Sequence, residues 1–374
     1  MVLTIREHFP PRGELETPAV LRALVAAHRH LAELKGVARS MPNERLLMST
    51  LSLQEAQSSS EIENIITTQD ALYRYQVQPG SVDPASKEVA WYAQSMEVGF
   101  QAVQASGLLR LSTILEVQAT LEGNDAGLRR TPGTVLKNER SGEVVYEPPS
   151  PEQLPALMDE LVNWIHAADS PTGDALDPLV RMAVMHHQFE TIHPFYDGNG
   201  RTGRILNILF LVRAGLLDSP ILYLSRYISQ TKADYYRELQ AVRDSGDWEG
   251  WLLYLLHGVA VTARHTTVLV EQIARLLQKH KHDIRARYRF YSQDLINNIF
   301  YHPYTKVAFV EHDLGVSRAT ASRYLDELAK GGILDKHRLG RENYYINREL
   351  VDLLFNLPPL DTPPLTIKTI KGAP

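Results

Sequence analysis

Apolar residues recur at three- and four-residue intervals through most of the chain and strand-like runs are short, which predicts a mainly α-helical protein with little sheet. The stretch LDPLVRMAVMHHQFETIH has Asp177 where an N-cap belongs, Pro178 at the first helical position, and apolar side chains at Leu179, Met182, Ala183, Phe189 and Ile192. It predicts a mostly buried helix ending near His193. Turn formers follow at Asp197, Gly198, Asn199 and Gly200, and the apolar run Ile205, Leu206, Ile208, Leu209, Leu211, Val212 predicts a second helix closing at Gly215. Upstream, TVLKNERSGEVVY reads as a hairpin, with Val135, Leu136 and Lys137 on one arm, a polar turn from Asn138 to Gly142, and Val144, Val145 and Tyr146 on the other.

The same periodicity divides the chain into zones, without an internal repeat. Residues 1–80 form an N-terminal helical region and residues 81–280 a central core, which closes on a long helix through Trp251, Leu252, Leu255, Val259 and Leu277. The basic junction QKHKHDIRARYRF reads as a solvated helix face. Residues 281–357 read as a separate module. In YTKVAFVEHDLGVSRATASRYLDELAKGGIL a helix precedes a turn at Gly315-Val316, and a second helix, capped by Ser317, turns Ala321, Tyr324, Leu325 and Leu328 inward. Ile333-Leu334, a polar turn from Arg338 to Arg341, and a returning strand at Tyr344-Tyr345-Ile346 complete a pattern that resembles a winged helix-turn-helix. In that resemblance Arg318, Thr320 and Arg323 face a DNA major groove, while Lys336, Arg338 and Arg341 reach phosphates. Residues 358–374 read as a Pro-rich disordered tail.

Charge weakens the DNA reading. The chain carries a formal net charge of −5 and a pI near 6.3. Within the module Glu311, Asp313, Asp326, Glu327, Asp335, Glu342 and Glu349 offset the basic residues, so a protein-docking role stands beside DNA binding. A hydrophobic content of 44% with 22% charged residues is that of a globular protein, and the absence of cysteine removes disulfide and thiolate chemistry. The N-terminus lacks a signal-peptide pattern and no apolar run reaches about 18 residues. No membrane association is expected, and the cytoplasm, where ATP and Mg²⁺ are, is the expected location.

The chemistry concentrates in HPFYDGNGRTGR, residues 193–204. A helix start presents unpaired N–H groups and partial positive charge, and glycines let a phosphate approach the backbone. Arg201 and Arg204, three apart, can face one anion. Asp197 suits a Mg²⁺ bridging two phosphates, since that ion takes oxygen ligands and keeps several waters. Asn199 can donate to a phosphate oxygen, and His193 stands beside the nest as a candidate base. Pro194 and Phe195 read as structural. A zinc site among His186, His187, Glu190 and His193 is disfavoured, because the H-E-x-x-H order is absent.

These residues resemble the Fic family motif HxFx(D/E)GNGRxxR, filled at every fixed position. The resemblance implies a Fic helical core with a β-hairpin flap and a protein adenylyltransferase moving AMP from ATP to a Ser, Thr or Tyr hydroxyl of a target protein. His193 would be the base and Asp197 the Mg²⁺ holder, with Gly198, Asn199 and Gly200 on the inner phosphates and Arg201 and Arg204 on the outer ones. A relative with lysine in place of Gly200 transfers phosphate, so glycine favours AMP transfer. Ser59, Glu63 and Asn64 fit the family's [S/T]xxxE[G/N] inhibitory helix, which precedes the core here as in class II members. Ser59 and Glu63 share a helical face, and Asn64 tolerates left-handed geometry. Glu63 would pair with Arg204 and occupy the γ-phosphate space.

The flap would pair with a target segment as an added strand. Tyr227, Tyr235 and Tyr236 are candidates for nucleotide contact, in a stretch where Thr231-Lys232 replaces the family's usual Asn-Arg. Homodimerisation is a further implication of the resemblance. Two alternatives remain open: a DNA-binding regulator that senses nucleotide, and removal of AMP with Glu63 orienting water.

Overall fold

Helix caps written into the sequence set many of the element boundaries in the computed structural model, which describes residues 9–11, 13–41, 44–77, 84–137, 142–167, 176–339 and 342–360. Thr17 accepts the Val20 N–H and Pro18 occupies the first turn, which starts α1 (Pro18–Arg39). There follow α2 (Glu44–Ile62), α3 (Gln69–Val77), α4 (Pro84–Ser106) and α5 (Leu111–Glu122). A two-stranded antiparallel hairpin, β1 (Leu136–Lys137) and β2 (Val144–Tyr146), leads to α6 (Leu154–Ala167). Asp177 caps α7 (Pro178–Ile192) through the Leu179 N–H at 2.8 Å. The central region continues with α8 (Asn199–Arg213), α9 (Leu224–Gln230), α10 (Lys232–Ser245) and α11 (Trp248–Arg287).

Helices α7 and α8 are buried along nearly their whole lengths, as an apolar pair must be when other helices surround it. They pack against each other, while α4 and α5 cover α8 and α6 covers α7. Helix α1 lies along α11 on the outside of this group. The composition of α2 gives no hint of burial, yet Ser58, Ser59 and Ser60 are all enclosed, because α2 packs on α4, α9 and α12. Its polar side chains find partners: Ser58 with the Tyr223 hydroxyl at 2.9 Å, Glu55 with the Ser225 N–H at 2.9 Å, and Gln54 with the Gln69 amide at 2.7 Å.

The last region runs α12 (Gln293–Tyr301), β3 (Tyr304–Lys306), α13 (Val307–Leu314), α14 (Arg318–Lys330), β4 (Asp335–Leu339), β5 (Glu342–Ile346) and α15 (Arg348–Phe355), with β5 between the other two strands in an antiparallel sheet. The helix expected before the turn at Gly315 is α13, and β3 precedes it, pairing with β5 from Tyr304↔Ile346 to Lys306↔Tyr344. The boundary expected at residue 280 falls inside α11, which continues to Arg287 because His280 and Ile284 are buried and the His280 ring meets Phe300 edge-on at 5.5 Å. The expected tail overlaps the described residues at Pro358 to Leu360, of which Leu360 is buried, and residues beyond it lie outside the described ones. Among the described residues no helix is long and apolar enough to cross a membrane.

This C-terminal unit sits directly on the N-terminal helices. Tyr73 of α3 is stacked between Tyr304 and Phe355 at 5.3 and 5.8 Å, the Tyr304 hydroxyl donates to Asp70 at 2.7 Å, and Lys306 donates to the Val77 carbonyl at 2.5 Å. Tyr73→Ala is expected to cost about 3–5 kcal/mol through the cavity it leaves. Denaturant unfolding checks this, and a loss under about 1 kcal/mol would show that the stack contributes little.

Candidate active site

The loop between α7 and α8 is shaped by two left-handed residues and one amide. His193 ends α7 with φ 48° and ψ 60°, its N–H donating to the Phe189 carbonyl at 3.0 Å, and Gly198 starts α8 with φ 74°. A non-glycine residue held there costs on the order of 1 kcal/mol, so the surroundings must enforce it. Asn199 accepts the Phe195 N–H and donates to the Phe195 carbonyl, both at 2.9 Å. Asn199 is 3% exposed and shapes the loop through both polar atoms, while its amide nitrogen carries a second N–H beyond the one given to Phe195. No side chain caps α8, which leaves the N–H groups of its first turn for a ligand. Asp197 is exposed at the mouth of this turn and accepts the Gly198 N–H at 2.7 Å. One exposed carboxylate is an ordinary protein contribution to a Mg²⁺ site completed by waters and substrate phosphates.

Arg204, 2% exposed, points from α8 at the end of α2. It donates to Ser59 Oγ at 2.8 Å, to the Ser59 carbonyl at 3.0 Å, and to Glu63 Oε1 at 2.7 Å. Helix α2 stops just before Glu63: Asn64 adopts φ 62°, its N–H bonds the Glu61 carbonyl, and the Ile65 N–H bonds the Ser60 carbonyl, which together close a Schellman turn. That turn aims the Glu63 carboxylate over Gly200. A Cβ at Gly200 would lie 2.3 Å from Glu63 Oε1, so glycine there makes the approach possible. Burial works against ionising Glu63, but Arg204, Arg201 and Lys232 outweigh it and hold its carboxyl below the usual value. Lys232 donates to the Ile62 carbonyl at 2.5 Å, placing an ammonium at the C-terminus of α2.

Arg201 is engaged elsewhere. Its guanidinium bridges Glu88 of α4 at 3.2 Å and Glu122 at the end of α5 at 3.0 Å, so the two motif arginines do not face one anion in this conformation. Burial raises the Glu122 carboxyl pKa despite Arg201.

The electrostatics favour a neutral base. Burial, then the Arg243 and Arg129 guanidinium charges, lower the His193 pKa from 6.5 to about 4, against the pull of Glu63 and Asp197. His193 Nδ1 is buried. Burial also pushes Glu190 up to about 7.

Tyr227 and Tyr235 do not line the site as expected. Each is 1% exposed: Tyr227 packs on Tyr254 and His257, and Tyr235 reaches His186 through its hydroxyl at 2.9 Å beside Trp251. Aromatic rings spaced along helices α9 and α10 fill the core where α11 closes over them, and Tyr236, 43% exposed, alone of the three reaches the surface. His187 meets the Leu239 carbonyl at 3.2 Å, and no group of three or more metal-ligating side chains occurs among the described residues.

In the C-terminal unit Arg318, Arg323, Lys336 and Arg338 are exposed, but Lys336 is bound to Asp326 at 2.6 Å and the Thr320 hydroxyl to Ser317 at 3.0 Å. Arg341 lies outside the described residues. This arrangement gives the DNA reading no support. In the flap Leu136 and Lys137 pair with β2 and Val135 stands just before the strand, while its turn, residues 138–141, lies outside the described residues. Sequence reasoning missed Arg129, Arg243, Lys232 and Glu122, whose importance comes from what they meet across the fold and leaves no local pattern.

Comparison with known proteins agrees with this geometry. The family model "Fic/DOC family N-terminal" matches residues 21–101, "Fic/DOC family" residues 108–211, and "Protein adenylyltransferase SoFic-like, C-terminal domain" residues 276–350. The chain thus carries Fic/DOC family N-terminal and Fic/DOC family domains followed by a SoFic-like C-terminal domain. A protein adenylyltransferase of Caenorhabditis elegans is 30% identical over 151 residues, 39% of this chain and 26% of that protein. One from Nematostella vectensis is 30% identical over 141 residues, 37% of this chain and 29% of that protein. The aligned parts thus span between a quarter and a third of these relatives. A crystal structure of a Fic family protein from Desulfovibrio desulfuricans G20 shares the fold, with a TM-score of 0.57 and 21% identity over 91% of this chain and 98% of that one.

The depressed Glu63 pKa has a measurable consequence. A carboxyl whose folded pKa lies below its usual 4.5 adds stability above that pH and loses it as pH falls through the folded value. Glu63→Gln should therefore cost about 1 kcal/mol at neutral pH and less in acid. Denaturant unfolding at both pH values checks it, and a pH-independent difference would rule out an ionised pair.

Proposed function

We propose that the chain transfers AMP from ATP to a hydroxyl of a target protein and that Glu63 restrains it. The observation that carries this reading is the Glu63 carboxylate bonded to Arg204 at 2.7 Å over Gly200, where an anion lies at the start of α8. The protein's own carboxylate occupies a place suited to a phosphate. ATP then has to displace Glu63 from Arg204, and Arg201 from Glu88 and Glu122, before its outer phosphates can take their positions.

With Glu63 displaced, the N–H groups of the first turn of α8 and Arg204 hold the β- and γ-phosphates. The His193 imidazole, neutral at physiological pH, accepts the target hydroxyl proton through Nε2. The hydroxyl oxygen forms a bond to the α-phosphorus as the bond from that phosphorus to the bridging oxygen breaks, and pyrophosphate leaves. Mg²⁺, held by Asp197 together with the phosphates, would neutralise charge on the leaving group. The target segment lies against the flap, whose Val144 and Val145 are 52% and 45% exposed. The C-terminal unit, with its helix-turn-helix followed by the β4–β5 hairpin, is a winged helix that docks through β3 on α3 and through α12 on α2 rather than a nucleic-acid reader.

Intact-mass spectrometry after incubation with Mg²⁺ and ATP tests the assignment. Glu63→Gly should raise AMP incorporation at least about tenfold, and unchanged incorporation in a folded protein refutes inhibition by Glu63. Adding His193→Ala should lower it by about 10²–10⁴-fold while ATP still binds. Because burial lowers the His193 pKa to about 4, the rate of the Glu63→Gly variant should be flat from about pH 6 to 8, and a limb near 6.5 would show that the surroundings do not hold the imidazole neutral.

A further inference from the structure

The carbonyls at the end of α7 are satisfied by side chains from outside the motif. A helix end ordinarily leaves its last carbonyls to water. Here Arg243 of α10 donates to the Glu190 carbonyl at 3.1 Å and to Thr191 Oγ1 at 3.3 Å, and the Tyr146 hydroxyl of β2 donates to the Thr191 carbonyl at 3.0 Å. The Arg243 guanidinium lies 4.0 Å over the Tyr146 ring. Arg129, on the segment entering the flap, takes the next two: its Nε donates to the His193 carbonyl and its backbone N–H to the Pro194 carbonyl, both at 2.9 Å. Its guanidinium also donates to the Pro149 carbonyl, on the segment leaving the flap. The Arg130 N–H adds a bond to the Tyr196 hydroxyl at 2.8 Å.

We propose that Arg129 is the positioning residue that fixes the His193 imidazole relative to the target-docking flap. This rests on the AMP-transfer reading above. Three chain segments meet at this one side chain, namely the base-bearing loop and the segments that enter and leave the hairpin. His193 holds a left-handed backbone that a residue with a side chain adopts only under constraint, and the bond from Arg129 Nε to its own carbonyl supplies one. With that carbonyl released, the peptide can rotate and carry the imidazole away from a hydroxyl presented by the flap. Arg129 is 2% exposed, so it acts through the loop and touches no substrate. Only a planar fork serves both side-chain acceptors, and a lysine ammonium would reach one of them without fixing direction. The charges facing the imidazole are Arg129 beside the flap, Arg243 on α10, Glu63 at the end of α2 and Asp197 in the loop, so Arg129 also adds to the positive field that keeps His193 neutral.

The test compares Arg129→Gln and Arg129→Lys in the Glu63→Gly protein, with ATP as the probe. Both should lower kcat for AMP incorporation by on the order of 100-fold, while KM for ATP stays within about twofold and the melting temperature marks a folded protein. Lysine keeps the charge, so the His193 titration followed by ¹⁵N NMR of histidine-labelled protein should move in the glutamine variant and stay in the lysine variant, although kcat falls in both. Unchanged kcat in Arg129→Gln, full rescue by lysine, or KM rising in step with the loss of kcat would each overturn the proposal. A parent that transfers no AMP would instead defeat the functional reading. In that case the ¹³Cα and ¹³Cβ shifts of His193 decide: the glutamine variant should lose the left-handed signature, and unchanged shifts overturn the positioning role.

Discussion

A buried guanidinium must be neutralised, and the arrangement of the N-terminal half follows from how Arg204 is. At 2% exposure it has little water to turn to, and burying it without a partner would cost several kcal/mol. Ser59 and Glu63, at the end of α2, supply three acceptor contacts, so the helix is held by this charge against the loop between α7 and α8. In the proposed reading, stability of the resting fold and occlusion of the phosphate site are the same interaction. Glu55, one turn before Ser59, anchors the same stripe of α2 to the start of α9 through Ser225.

Around this pair the site is built from backbone more than from motif side chains. Asn199 ties its amide to the Phe195 backbone, Gly198 and Gly200 leave room for the Glu122 and Glu63 carboxylates, and His193 holds a left-handed backbone at the end of α7. Strain of that kind persists when neighbours over-determine it, as the side chains capping the end of α7 do. The low dielectric that makes Arg204 need Glu63 also keeps His193 neutral and lifts the Glu190 carboxyl to about 7.

The C-terminal unit is continuous with this arrangement. Helix α11 runs into it without a break, Tyr304 and Phe355 enclose Tyr73, and Ser49 of α2 donates to the Tyr301 carbonyl at 3.2 Å. Residues 276–350 therefore bear on the helix whose end leads into Glu63, and a displacement of α2 would disturb its packing on α12 as well as the bond to Arg204.

The sequence by itself determined the local features. The cap at Asp177, the turn formers from Asp197, the spacing of Ser59 and Glu63, and the apolar arms of the flap are short-range patterns; α7 and the β1–β2 hairpin formed where those patterns place them, and α8 begins at Asn199, two residues inside the expected turn. Tertiary structure alone decided what lies between elements distant in sequence. It buried the polar α2, because Tyr223, Ser225 and Arg204 satisfy its serines and glutamates from more than a hundred residues away. It turned Tyr227 and Tyr235 into core, drew Arg201 to Glu88 and Glu122, and brought Arg129 and Arg243 to the carbonyls around His193. The physical reason is that periodicity and capping are set by neighbours three or four residues away. The partner of a buried charge is set by whichever chain segment packing brings to it.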